Sequence, residues 1–120
     1  MTEYESLVAA LKALTQGEAP NTVTLPMAEN EWSPRPEAES YGIVSLDFEA
    51  SALDGNDTKL DTSYEGSADL FSHAKDGAGW VQLITQALTA HCGPCWSLNS
   101  HVYERDTGLF HWEWAFQIEG

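Results

Sequence analysis

Apolar residues recur along this chain with two different periods, and the points where the period changes divide it into elements. In residues 3–16, Tyr4, Leu7, Val8, Leu11 and Leu14 fall at helical spacing, while Glu5, Lys12 and Gln16 lie elsewhere on the turn. Thr2 is placed to cap that helix, Glu5 completes a capping box, and Gly17 is placed to end it. A short strand is expected over Asn21–Met27, with Val23 and Leu25 on one side and Pro26 confining it to a sheet edge.

The period then shortens to two. Val44, Leu46 and Phe48 alternate with Ser45, Asp47 and Glu49, which predicts a strand over Tyr41–Ala50. A connection through Gly55 and Asn56 leads to a second strand over about 62–72, paired antiparallel with the first. On that strand Tyr64, Gly66, Ala68 and Leu70 share a face, and the small residues among them leave room for a helix to approach closely. Helical spacing returns in Trp80, Leu83, Ile84, Ala87 and Leu88. This strand–loop–helix stretch, 63–90, is the part of the chain most suited to organise the rest.

A turn at AHCGPCWS leads into a closing hairpin. Trp96, Leu98, Ser100 and Val102 alternate along its first strand, and Asp106-Thr107-Gly108 forms its turn. The last strand has the strictest alternation in the chain: Phe110, Trp112, Trp114, Phe116 and Ile118 face one way. The predicted fold is α+β, with two helices packed on a mainly antiparallel sheet of about five strands, in the order α-β-β-β-α-β-β. Residues 1–120 form one domain, with a flexible loop at about 28–40 that carries Pro34, Pro36 and four glutamates. Trp32 within that loop is either an interface anchor or a ring folded back onto the body.

Charge narrows the function classes. Nineteen acidic residues against five Lys plus Arg give a formal net charge of -14. Such a surface repels phosphates and anionic bilayers, so nucleic-acid and membrane binding are disfavoured. It suits a basic protein partner, a cation, or a surface that must not adhere to DNA. No apolar run approaches the roughly 20 residues that span a bilayer, and the start MTEYESLV lacks the features of a secretory signal. A soluble protein made in the cytosol is expected.

The one motif with chemical content is Cys92-Gly93-Pro94-Cys95. The same tetrapeptide is redox-active in thioredoxin-like proteins, where it opens a helix whose amides stabilise a thiolate. Here it follows a helix, at the end where the dipole has the wrong sign, and leads into a strand. A zinc site from Cys92 and Cys95 with His91 and His101 is chemically possible, but one CxxC lacks a second ligand pair at a recognisable spacing. The bland alternative is a Gly-Pro turn flanked by two small buried thiols. Carboxylate pairs carry no information in so acidic a chain. Asp54-Gly55-Asn56-Asp57 lacks the spacing of a calcium loop and reads as a solvated turn. His73 and His111 have no nucleophile in a recognisable pattern. Neither enzymatic activity nor a cofactor is implied. The aromatic row of the last strand is first of all a core face, but Trp112 and Trp114, with Trp32, are also candidates for contact with a neighbouring subunit.

The order of these elements resembles the tail-completion proteins of long-tailed bacteriophages and prophages, the tail-terminator and minor-tail-protein group. The similarity lies in the N-terminal helix TEYESLVAALKALTQ and the Pro-rich segment EWSPRPEAESYGIVSLDF. It continues through a strand running into a Gly-Trp helix, YEGSADLFSHAKDGAGWVQLITQAL, and the closing hairpin VYERDTGLFHWEWAFQIE. The resemblance implies a non-enzymatic structural protein that forms a ring homo-oligomer, commonly a hexamer, on the tail tube or at the head–tail junction. Its partners would be tail-tube or neck proteins, and its place the virion tail after synthesis in the host cytoplasm. The CGPCW turn is not part of that pattern. A zinc- or thiol-dependent protein centred on that turn, and an acidic binding module for a basic protein, are the alternatives.

Overall fold

A computed structural model describes residues 2–31, 37–53 and 59–119, with backbone alone at 48–53 and 59–62. Helix α1 spans Glu3–Lys12, and the Thr2 hydroxyl accepts from the Glu5 amide at its start. Tyr4, Leu7, Val8 and Leu11 are its buried stripe. It stops short of the expected residue 16 because the chain turns at Ala13. Thr15–Gln16 (β1) then pairs antiparallel with Val23–Thr24 (β2). The Leu14 carbonyl, freed from the helix, accepts from the Leu25 amide. Gly17 therefore serves this small hairpin, with φ +89, rather than the helix end. The strand expected over 21–27 is split in the same way. Val23 is 59% exposed and Leu25 only 1%, and a separate strand β3 (Met27–Glu29) follows.

Five strands form the main sheet, in the order β3-β4-β5-β7-β6. They are β3, β4 (Ser40–Leu53), β5 (Lys59–Ser72), β6 (Trp96–Glu104) and β7 (Leu109–Glu119). All neighbours are antiparallel except β3 and β4. Helix α2 (Trp80–Cys92) lies between β5 and β6 in the chain. The α+β architecture is as predicted, with a small two-stranded sheet added.

Both helices cover one face. Tyr4, Leu7, Val8 and Leu11 of α1 and Trp80, Ile84 and Leu88 of α2 form one core with Ala68, Leu70, Trp112, Trp114, Phe116 and Ile118. Ala68 of β5 lies in the core that both helices cover, but the small residues of β5 have a second role. They make room for the neighbouring strand: Gly66 opposes Phe116 and Ala68 opposes Trp114. A Cβ at Gly66 would stand 2.5 Å from Phe116 Cζ and collide with the Ser45 carbonyl oxygen. Large rings on one strand are thus matched by missing side chains on the next, which keeps the layer filled at native density.

The turn into α2 is held in a left-handed conformation at Gly77, Ala78 and Gly79, with φ of 75°, 54° and 84°. Ala78 is fixed from both sides: its amide donates to Asp76 Oδ1 and its carbonyl accepts from Gln16 Nε2 at 2.9 Å. Gly77 has no substitute there, since a Cβ would lie 2.6 Å from Val81 Cγ2 in addition to the strained φ.

Candidate assembly surface

The face of the sheet away from the helices, and the sheet's two edges, hold what the core leaves unused. Strand β6 is the outermost strand on one side. Its expected alternation breaks at Asn99, where the register with β7 slips between Leu98 and Ser100. Before the slip, Trp96 and Leu98 pair with Phe116 and Trp114 on the helix face; after it, His101 and Tyr103 take that face, pairing with Trp112 and Phe110. Val102, expected beside Leu98, is turned to the other side opposite His111. Leu98, Val102 and Tyr103 are 46%, 48% and 53% exposed. Strand β6 is also the most neutral of the five main strands, with no carboxylate from Trp96 to Tyr103. An edge without Lys, Arg or Pro, and with its one carboxylate at the far end, has little to block pairing with another strand.

The opposite edge is open too. Among the described residues, β3 pairs with β4 only at Gly42–Val44, and Asn30 Oδ1 takes the Leu46 amide just beyond. From there β4 has no outer partner strand among the described residues. Strand β5 likewise loses β7 below Ser63, so Lys59–Thr62 pairs with β4 alone. The result is a two-stranded ribbon extending past the sheet, a form that holds poorly in water by itself.

Two of the residues expected to act at an interface lie elsewhere. Trp112 and Trp114 are 3% and 0% exposed, packed beneath the helices, and so present nothing to a partner. The row alternates so strictly because it is core. Trp32 lies outside the described residues, as does the Asp54–Asp57 turn.

The zinc fallback set is likewise dispersed. His91 Nδ1 meets Glu3 Oε1 at 2.8 Å, joining α2 to the start of α1, while His101 stacks on Trp112 at 4.4 Å. No group of three or more His, Cys, Asp or Glu that could hold a metal ion occurs among the described residues. Cys92 is the last residue of α2 and buried, whereas Cys95 is exposed. The expectation of two buried thiols therefore holds for one of them. Burial first, then the neighbouring Cys95 and Glu3, pushes the Cys92 thiol up to about 11. It is the reverse of an activated cysteine.

One cluster was invisible in the sequence. His111 on β7 is clamped between Asp69 of β5, with Nε2 to Oδ1 at 2.7 Å, and Glu104 of β6, with Nδ1 to Oε2 at 3.0 Å. Its ring stacks on Phe71 at 4.2 Å, and Phe71 stacks on Tyr41 at 5.1 Å, making a row on the face away from the helices, where Tyr41, Phe71 and Leu109 form a second buried cluster. The hydrogen bond to Asp69 raises the imidazole pKa most, burial opposes it, and the Asp69 and Glu104 charges add to the rise. With a carboxylate of a neighbouring strand at each ring nitrogen, His111 ties three strands together. Only its alternation on the polar side of β7 is readable in sequence; its partners lie seven and 42 residues away.

Two open concavities lie among the described residues. One of about 450 Å³ runs between Asp47, Glu65, Cys95 and Gln117, and one of about 540 Å³ between Gln16, Leu25, Glu39 and Trp80. Neither joins a nucleophile to a base at hydrogen-bond distance. No helix among the described residues is long and apolar enough to cross a membrane. No protein-family model and no curated protein sequence matches the chain. The functional reading therefore stands on geometry and on the order of elements.

Proposed function

We propose that this chain is a non-enzymatic structural subunit of a phage or prophage tail, of the tail-terminator or tail-completion kind, which works by closing into a ring of identical copies. The observation that carries the reading is the pair of unpaired edges on opposite sides of one sheet. Strand directions alternate from β4 through β5 and β7 to β6. The β4 edge of a second copy in the same orientation would thus meet β6 antiparallel and continue the alternation. Such a contact is head-to-tail, joining two different patches, and head-to-tail contacts generate rings when the rotation closes.

Charge supports the same pairing. At -14 per chain, copies repel, and the carboxylate-free run of β6 is where an acidic neighbour can lie at least cost. A ring whose lumen carries carboxylates also lets DNA pass without gripping its phosphates. Sedimentation velocity and negative-stain microscopy at high protein concentration test this, with tail-tube protein added in a second series. Rings are expected; a strict monomer in both series rejects the reading.

A further inference from the structure

The Cys92–Cys95 turn holds two thiols of opposite exposure in one closed loop, Cys92 at the margin of the core and Cys95 at the surface. The Cys95 amide donates to the Cys92 carbonyl at 3.1 Å, and the Gly93 amide donates to the Thr89 carbonyl at 3.0 Å. A four-residue turn closed in this way brings its end Cα atoms within about 7 Å, overlapping the roughly 4.4–6.8 Å that a disulfide spans. The turn is also a junction. The Gln117 amide of β7 donates to the Cys95 carbonyl at 2.9 Å, and the Trp96 indole donates to the Thr89 hydroxyl at 3.0 Å.

We propose that Cys92 and Cys95 form a reversible disulfide by exchange with a low-molecular-weight disulfide such as oxidised glutathione, stapling the end of α2 to the start of β6. It stands independently of the assembly reading. Cys95 is the exposed thiol, so it reacts first. It loses its proton, its sulfur attacks one sulfur of the small disulfide, that S–S bond breaks, and one small thiolate leaves and takes up a proton. Cys92, deprotonated in turn, attacks the Cys95 sulfur and expels the second small thiol. Two protein thiols and one small disulfide become one protein disulfide and two small thiols. The protein gives up two electrons, and the small disulfide accepts them.

The placement also sets the direction. A redox enzyme hands its disulfide on because a helix N-terminus stabilises the thiolate of the reduced form. Here Cys92 lies at the carbonyl end of α2 and is buried. Nothing favours its thiolate, so the oxidised form is retained. The turn is a clip, not a carrier.

The test is incubation of the full chain with oxidised glutathione, followed by alkylation, intact mass measurement and amide hydrogen exchange. The expected product has lost two hydrogens, carries no glutathione, resists alkylation at both positions, and exchanges the Gln117 amide several-fold more slowly. Cys92→Ser should hold a glutathione adduct at Cys95, while Cys95→Ser should stay reduced without an adduct. An adduct persisting at Cys95 in the unmodified sequence, or two cysteines still alkylated after incubation, overturns the proposal.

Discussion

The two strands of the closing hairpin both carry large apolar side chains and have opposite fates. Strand β7 lies inside the sheet between β5 and β6, and its side chains Trp112, Trp114, Phe116 and Ile118 are buried under both helices. Strand β6 has β7 on one side and, among the described residues, no strand on the other, and leaves Leu98, Val102 and Tyr103 exposed. Position in the sheet, not composition, decides which row is core. The same apolar alternation that stabilises a subunit in the middle of a sheet is available to join subunits at its edge.

The sharpest way to break this contrast is at Trp114, fully buried at the centre of β7. Trp114→Ala should destabilise the fold by about 3–5 kcal/mol, as large-to-small changes of buried aromatics do. Urea or guanidinium unfolding measures it, and a loss within the range of surface substitutions would remove β7 from the core. Next is the space that β5 leaves for β7. Gly66→Ala puts a methyl against Phe116 and the Ser45 carbonyl, and a cost of about 1–3 kcal/mol is expected from overpacking. The same denaturant curves read it, and an unchanged midpoint would mean that the Phe116 ring moves aside freely.

How much of this could be read from the chain follows from the same contrast. Alternation on β7 is legible because each inward position from Phe110 to Ile118 is bulky and apolar while His111, Glu113 and Gln117 between them are polar, and the buried face admits only that register. On β6 the pattern Trp96, Leu98, Ser100, Val102 misled, because the extra residue at Asn99 reverses the sides halfway along. A bulge has no side-chain period to announce it. The end of α1 was overextended because Leu14 continues the helical stripe, although tertiary pairing of β1 with β2 takes the backbone elsewhere. The CGPC turn was placed at the correct end of its helix by order alone. The His111 clamp was not legible, since Asp69 reaches it only through strand pairing.

That clamp gives the third prediction, on the uncovered side of β7. The folded-state pKa of His111 lies above that of the unfolded chain, where histidine titrates near about 6.5. A group raised on folding contributes stability that is fully present below about pH 6.5 and is lost as pH climbs through the folded value. Unfolding midpoints should therefore fall across that window, and His111→Gln should flatten the fall. An identical pH profile in the variant would show that the clamp does not titrate as described.

The smallest effect on folding belongs to β6. Leu98 and Val102 lie on opposite sides of the edge strand, and replacing both with glutamate should change stability by no more than about 0.5 kcal/mol per site, the range of exposed substitutions. The same pair of changes places two charges on each copy's neutral edge and should abolish assembly. Native mass spectrometry of the unmodified chain beside Leu98→Glu/Val102→Glu, with unfolding curves on both, is the most direct test of β6 as the assembly edge. A ring-sized species for the first and a folded monomer for the second is the expected result. A monomeric unmodified chain even with tail-tube protein present, or a doubly charged variant that still assembles, would contradict it.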